Sequence, residues 1–176
     1  MKFINQKIAV FFWKLIVAFP INFQNVLANI LFSFLKNPNL KRNIFSRKNI
    51  DAAFPNLNEQ EKINLFNKNL KSMIHGIFDT GKAWFWNDFK INSLIKYEIF
   101  GLNKLTPTKG NLLIFKHSHH LELDSRILGM HCELYGVERV HNSTFMQKVQ
   151  SMGRLKGLNA LADKNSPITF IKWLKK

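Results

Sequence analysis

Three histidines, two carboxylates and an arginine crowd the ten residues from His117 to Arg126. His117 and Glu122 form an H-x4-E pair, and His119 and Asp124 form an H-x4-D pair. Either carboxylate can hold the far nitrogen of an imidazole, which fixes the tautomer and raises the basicity of the ring. The near nitrogen then takes a proton from an alcohol, with no metal, no other cofactor and no covalent intermediate. Spacing alone leaves both pairs open, and loop histidines beside a surface acid would look the same. The i, i+4 zinc pattern H-E-x-x-H is absent, and the neighbours His119 and His120 diverge on any regular element, so no metal site is expected.

The elements around this cluster must carry it to one place. Residues 111–115 form an apolar run with the pattern of a buried strand, entered by a turn at Lys109 and Gly110 after Pro107. A helix should follow, with Leu121, Leu123, Ile127 and Leu128 as its apolar set. Then come a strand at 137–140, a helix at 145–152, a second strand at 158–162, and a last helix with Ser166 as cap and Pro167 at its first position. Strands alternating with helices predict an α/β fold with a partly parallel sheet flanked by helices. Upstream, residues 58–75 read as a helix capped by Asn58, with Glu59 and Glu61 in its first turn. It continues or restarts through Trp86, where Gly76 and Gly81 permit close packing or a bend.

The charge is uneven. The 176-residue chain carries a formal charge of +15, is 46% hydrophobic, and has Cys132 as its one cysteine. That composition excludes a disordered basic tail, a disulfide scaffold and a four-cysteine zinc module. Residues 1–50 hold eight Lys and Arg and no acid. They also hold the greasiest stretch, Ile8 to Phe19, interrupted only by Lys14 and closed by Pro20. A second apolar stripe follows from Phe23 to Phe34 at helical spacing. Neither half supplies the roughly 20 apolar residues of a bilayer span. The pattern therefore predicts a helix pair in the membrane interface with Lys14 snorkelling, against the alternatives of a tilted span through Pro20 and a buried hairpin. The basic cluster from Lys36 to Lys48 suits an anionic leaflet at about 1 kcal/mol per charge, and puts the rest of the chain on the cytoplasmic side. A recognition helix, a stacking platform and a zinc site are all missing, so nucleic acid is not an expected partner.

The run G-N-L-L-I-F-K-H from Gly110 to His117, followed by S-H-H-L-E-L-D-S-R to Arg126, resembles the first motif block of the late lipid A acyltransferases within the wider glycerolipid-acyltransferase superfamily. The resemblance selects His117 and Glu122 over His119 and Asp124. Three further blocks are similar in the same order: R-K-N-I-D-A-A-F-P from Arg47 to Pro55, D-T-G-K-A-W-F-W from Asp79 to Trp86, and G-R-L from Gly153 to Leu155 with Asp163 and Lys164 after it.

The resemblance implies transfer of a fatty acyl chain from an acyl carrier protein thioester to a hydroxyl of a lipid IVA-type precursor, at the cytoplasmic face of the inner membrane. His117 would be the general base and Glu122 its support. Arg154 would sit near acceptor phosphate or charge, with Arg126 and Arg139 as further substrate-binding candidates. Residues 1–35 would associate with the membrane, and 36–176 would form the N-terminal part of the acyltransferase domain. Family members run on past the Lys-rich last helix into further strands, so the sheet is expected to be incomplete. The alternative is an inactive remnant that binds membrane or acyl carrier protein. Acyl-chain length and the acceptor hydroxyl are not encoded in these motifs.

Overall fold

The computed structural model describes residues 2–105 and 110–175. Eight α-helices and two strands follow in the order α1 (Lys2–Ala18), α2 (Ile21–Leu35), α3 (Lys41–Ala53), α4 (Glu59–Phe85), α5 (Asp88–Leu94), α6 (Leu121–Leu128), β1 (Tyr135–Glu138), α7 (Thr144–Arg154), β2 (Ala160–Asp163) and α8 (Pro167–Leu174). The fold is an α/β mixture, mostly helical, with an open two-stranded sheet. The chain divides into two compact units, residues 19–78 and residues 1–18 with 79–176.

In the unit of residues 19–78, α2 follows Pro20, whose missing N–H costs nothing before a helix start. Asn43 of α3 is buried and donates to the carbonyls of Leu35 (2.6 Å) and Asn37 (2.7 Å), tying the intervening turn to the helix. The expected cap at Asn58 forms as a reciprocal box. Its side chain accepts from the Glu61 N–H at 2.9 Å, and the Glu61 carboxylate accepts from the Asn58 N–H at 2.8 Å. Helix α3 was not expected: its charged, weakly patterned sequence carries no clear apolar stripe.

The other unit holds the chemistry-bearing residues. Strands β1 and β2 pair in parallel, Tyr135 opposite Ala160 through Glu138 opposite Asp163, with α7 as their crossover. Asn159 closes one end of the ladder, donating its N–H to the Leu134 carbonyl at 2.7 Å and accepting from the Leu134 N–H at 2.9 Å. Both strands lie within two residues of their expected limits. The expected strand at 111–115 does not form: those residues carry no regular structure and lie outside the β1–β2 ladder, and Leu112 and Ile114 are exposed. An apolar run becomes a strand only by hydrogen bonding to a neighbouring strand, and among the described residues no strand pairs with this one. The expected turn at Lys109 lies outside the described residues.

Helix α4 continues without a break through Gly76 and Gly81. A Cβ on Gly81 would lie 2.7 Å from Val17 Cγ1 and 2.8 Å from Trp13 Nε1, so the glycine is what lets α1 approach. Trp13 packs edge-on against Trp84 and Phe85, at centroid distances of 5.4 and 5.3 Å. Trp86 donates its indole N–H to the Val17 carbonyl at 2.8 Å, satisfying a buried polar group at the end of α1. The opposite face of α1 is open, with Ile4, Ile8, Phe11, Phe12 and Leu15 all exposed. Among the described residues no helix is long and apolar enough to cross a membrane.

On α7, a Cβ at Gly153 would collide with the Trp84 side chain. Replacing a helical glycine by alanine ordinarily favours the helix, by up to about 1 kcal/mol in a helix interior and less in a last turn such as this one. Here the overpacking cost of about 1–3 kcal/mol should outweigh it. Gly153→Ala is therefore expected to lower the thermal midpoint, which differential scanning fluorimetry in detergent will read.

Candidate active site

Helix α6 begins directly after the histidine cluster. His120 occupies its N-cap position, and Glu122 and Asp124 fall in the first turn, where the helix dipole favours negative charge. Helix α7 ends on Arg154, and β1 ends on Glu138. These three ends meet.

Glu122 is the junction. Its carboxylate accepts from the Trp84 indole N–H at 2.9 Å, from Arg154 Nε at 3.0 Å and from Arg154 Nη2 at 2.5 Å. The remaining arm of the guanidinium, Nη1, donates to Glu138 at 2.9 Å. Glu138 also accepts from Gln147 (2.5 Å), Gln150 (3.2 Å) and Ser151 (2.9 Å) along one face of α7. The Glu122 and Arg154 side chains are 16% and 23% exposed and that of Glu138 only 6%, so the ions are largely desolvated and depend on one another.

The shifts follow from this geometry. Burial works to raise the Glu138 carboxyl, but hydrogen bonds from Gln150, Ser151, Arg154 and Gln147 outweigh it and hold the group below its usual range. Burial likewise opposes charge on Arg154, and the hydrogen bonds and charges of Glu122 and Glu138 keep the guanidinium protonated beyond its ordinary range. On the outer turn of α6, Asp124 is pushed up, chiefly by burial; His120 pulls it down and Asp79 adds to the rise.

Glu122 and Arg154 form part of the wall of a cavity of about 930 Å³. Its other walls are mostly apolar and include Leu113, Phe115, Leu158, Leu161, Phe170 and Trp173. An apolar chamber of this size with one charged pair at its edge suits a long hydrocarbon chain ending in a polar reacting group.

The other residues singled out in the sequence lie elsewhere. His117 is exposed, two residues beyond the apolar run at 111–115, and does not line the cavity. No hydrogen bond joins His117 to Glu122 among the described residues. Arg126 is 5% exposed and ion-paired with Asp88 at the start of α5, while its Nε is buried without a hydrogen-bond partner. Arg139 is exposed just beyond β1. The pairings of Glu122 were not foreseen. Arg154 was named as an acceptor contact, and Asp79 and Trp84 only as members of the D-T-G-K-A-W-F-W block, while Glu138, the second partner of Arg154, gave no signal, since its role appears only once β1 and α7 are side by side. The Asp79 carboxylate lies 2.6 Å from His120 Nδ1 and 2.7 Å from Lys82 Nζ.

The chain matches the profile described as bacterial lipid A biosynthesis acyltransferase over residues 2–176. It belongs to that family. It is 33% identical to a lipid A biosynthesis acyltransferase of Haemophilus influenzae over 145 residues, 82% of this chain and 46% of the relative. It is 29% identical to the lipid A biosynthesis palmitoleoyltransferase of Escherichia coli over 140 residues, 77% of this chain and 45% of that one. With the Escherichia coli lauroyltransferase the identity is 32% over 133 residues, 73% and 43% of the two chains. The chain thus spans a little under half the length of the curated lipid A acyltransferases it matches. No solved structure matches it significantly.

Because its folded-state pKa is lowered, Glu138 adds stability that is complete above the ordinary glutamate range and is lost as pH falls through the folded value. Glu138→Gln should therefore flatten the acid limb of stability against pH while leaving less stability at neutral pH. Urea unfolding between pH 3 and 8 measures both.

Proposed function

We propose that this family member acts in transfer of a fatty acyl chain from an acyl carrier protein thioester to a hydroxyl of a lipid IVA-type precursor. The observation that carries the reading is the apolar cavity whose wall contains Glu122, the carboxylate of the H-x4-E motif, fixed by Trp84 and Arg154. In this reading His117 takes the proton of the acceptor hydroxyl as its oxygen attacks the thioester carbonyl. The tetrahedral adduct then expels the carrier thiolate, and the imidazolium returns the proton to the sulfur. Glu122 supports the positive imidazole through its charge. Arg154, already held by two carboxylates, acts mainly to orient Glu122. Exposed Arg139 and the Arg126–Asp88 pair are candidates for contacts with the charged acceptor.

Residues 1–35 are the proposed membrane-associating part and 36–176 the N-terminal part of the acyltransferase domain. The exposed apolar residues of α1 support an interfacial position. So, considered separately, do Phe23, Val26, Ile30 and Phe34 of α2. The cationic surplus suits both an anionic leaflet at the cytoplasmic face of the inner membrane and an acidic carrier protein.

The test is acyl transfer from a labelled carrier thioester to the precursor in detergent micelles. His117→Ala should lower the rate by about 10²-fold or more, while His119→Ala should leave it within about threefold, because loss of a general base costs on the order of 10²–10⁴. Equal losses in both variants would undo the choice of His117. A chain that binds anionic vesicles but never turns over would favour a non-catalytic membrane protein instead.

A further inference from the structure

The segment that ends in His117 lacks strand hydrogen bonds, so its position depends on how its ends are attached. At its C-terminal end the structure gives a specific attachment. His120 Nδ1 lies 2.6 Å from Asp79 Oδ2, with the His120 side chain 37% and the Asp79 side chain 16% exposed. The His120 N–H donates to Ser118 Oγ at 3.3 Å, closing the turn between His117 and α6. The His120 carbonyl then accepts from the Leu123 and Asp124 N–H groups at 2.9 and 3.0 Å, so the turn and the first turn of α6 form one piece.

Asp79 is itself braced. Its other oxygen lies 2.7 Å from Lys82 Nζ, one turn further along α4, and the Lys82 side chain is 9% exposed. Five residues beyond Asp79 on the same helix, Trp84 holds Glu122. Helix α4 thus grips the motif at two points, one on each side of the α6 N-terminus. The second grip fixes the carboxylate of H-x4-E; the first lies three residues from its histidine. Asp79 from α4 pairs with His120, Lys82 pairs with Asp79, and Asp124 from α6 feels the charges of both His120 and Asp79.

We propose that Asp79 and His120 are a positioning pair for His117: the carboxylate on α4 anchors the His120 ring and so fixes where the turn at 118–121 holds the preceding reacting imidazole. The inference rests on the functional reading of His117 above, but its structural part does not. A carboxylate on Nδ1 also selects the tautomer of His120 that carries its proton there.

The experiment compares the full chain in micelles with Asp79→Asn, Asp79→Glu and His120→Asn. The last leaves the Asp79–Lys82 pair intact should Asp79→Asn fail to fold. Two readouts are taken: the rate of His117 carbethoxylation by diethyl pyrocarbonate, located by mass spectrometry, and the histidine ring ¹⁵N shifts. Asp79→Asn and His120→Asn should each change the rate of His117 modification by about threefold or more, as expected when the surroundings of an exposed ring are no longer fixed, and should shift the His117 ring signals. Asp79→Glu should return both readouts most of the way to the parent values. Where the chain turns over, the same variants should lower kcat by about tenfold with KM nearly unchanged, because positioning and not binding is lost. The pair is overturned as a positioning device if both variants leave His117 reactivity and ring shifts at the parent values. If the parent itself shows no transfer, the catalytic reading fails, while the modification rates still decide the role of the pair.

Discussion

A buried carboxylate must be paired or neutral, and that constraint organises the larger unit. Glu122 is held by an indole N–H from α4 and a guanidinium from the end of α7, and that guanidinium is in turn held by Glu138 at the end of β1. Elements distant in sequence converge because α4 and α7 supply partners to Glu122, and β1 supplies a second carboxylate to the guanidinium, in a setting where none could be buried alone. The aromatic packing follows from it. Trp84 has to reach Glu122, so Gly153 yields space beneath its ring, while Trp13 closes against the ring from α1.

This arrangement gives Arg154 partners that its motif in isolation does not suggest. An arginine near an acceptor site reads as a phosphate ligand, but here its donors face two carboxylates, and two negative charges surround one positive charge at the cavity wall. The pairing places the guanidinium as a brace. Its short, partly desolvated contacts fix the Glu122 carboxylate at the edge of an apolar chamber. A fixed charge that need not reorganise during a reaction is worth more than a mobile one. The paired His120 shows the same economy, since one helix contacts the motif at both His120 and Glu122.

Local chemistry was legible in the sequence where the signal was local. The Asn58–Glu61 box, Pro20 before α2, Pro167 opening α8 and the alternation of β1, α7 and β2 are set by residues near one another in the chain, and the structure follows them. The close packing expected at Gly81 is there, against Val17 and Trp13. What escaped notice depends on pairing across distance. Residues 111–115 have a strand's composition, yet strand formation needs a neighbour's hydrogen bonds. Short α5 and charged α3 carry little apolar periodicity. The partners of the site, Trp84, Glu138 and Asp79, lie 38, 16 and 41 residues from the groups they contact. His117 and Glu122 were visible as a spacing, but no spacing announced that Glu122 would be claimed by an arginine and a tryptophan.

The coupling between Glu122 and Arg154 is the claim on which this account stands, and a double-mutant cycle measures it directly. Unfolding free energies of the parent, Glu122→Gln, Arg154→Met and the double variant would be compared at neutral pH in one detergent. The account predicts that the double variant loses less stability than the two single losses added together, with a coupling of at least about 1 kcal/mol, within the 0.5–3 kcal/mol found for residues in one network. Additive losses, with coupling near zero, would contradict it and leave Glu122 without the brace from which the cavity wall is built.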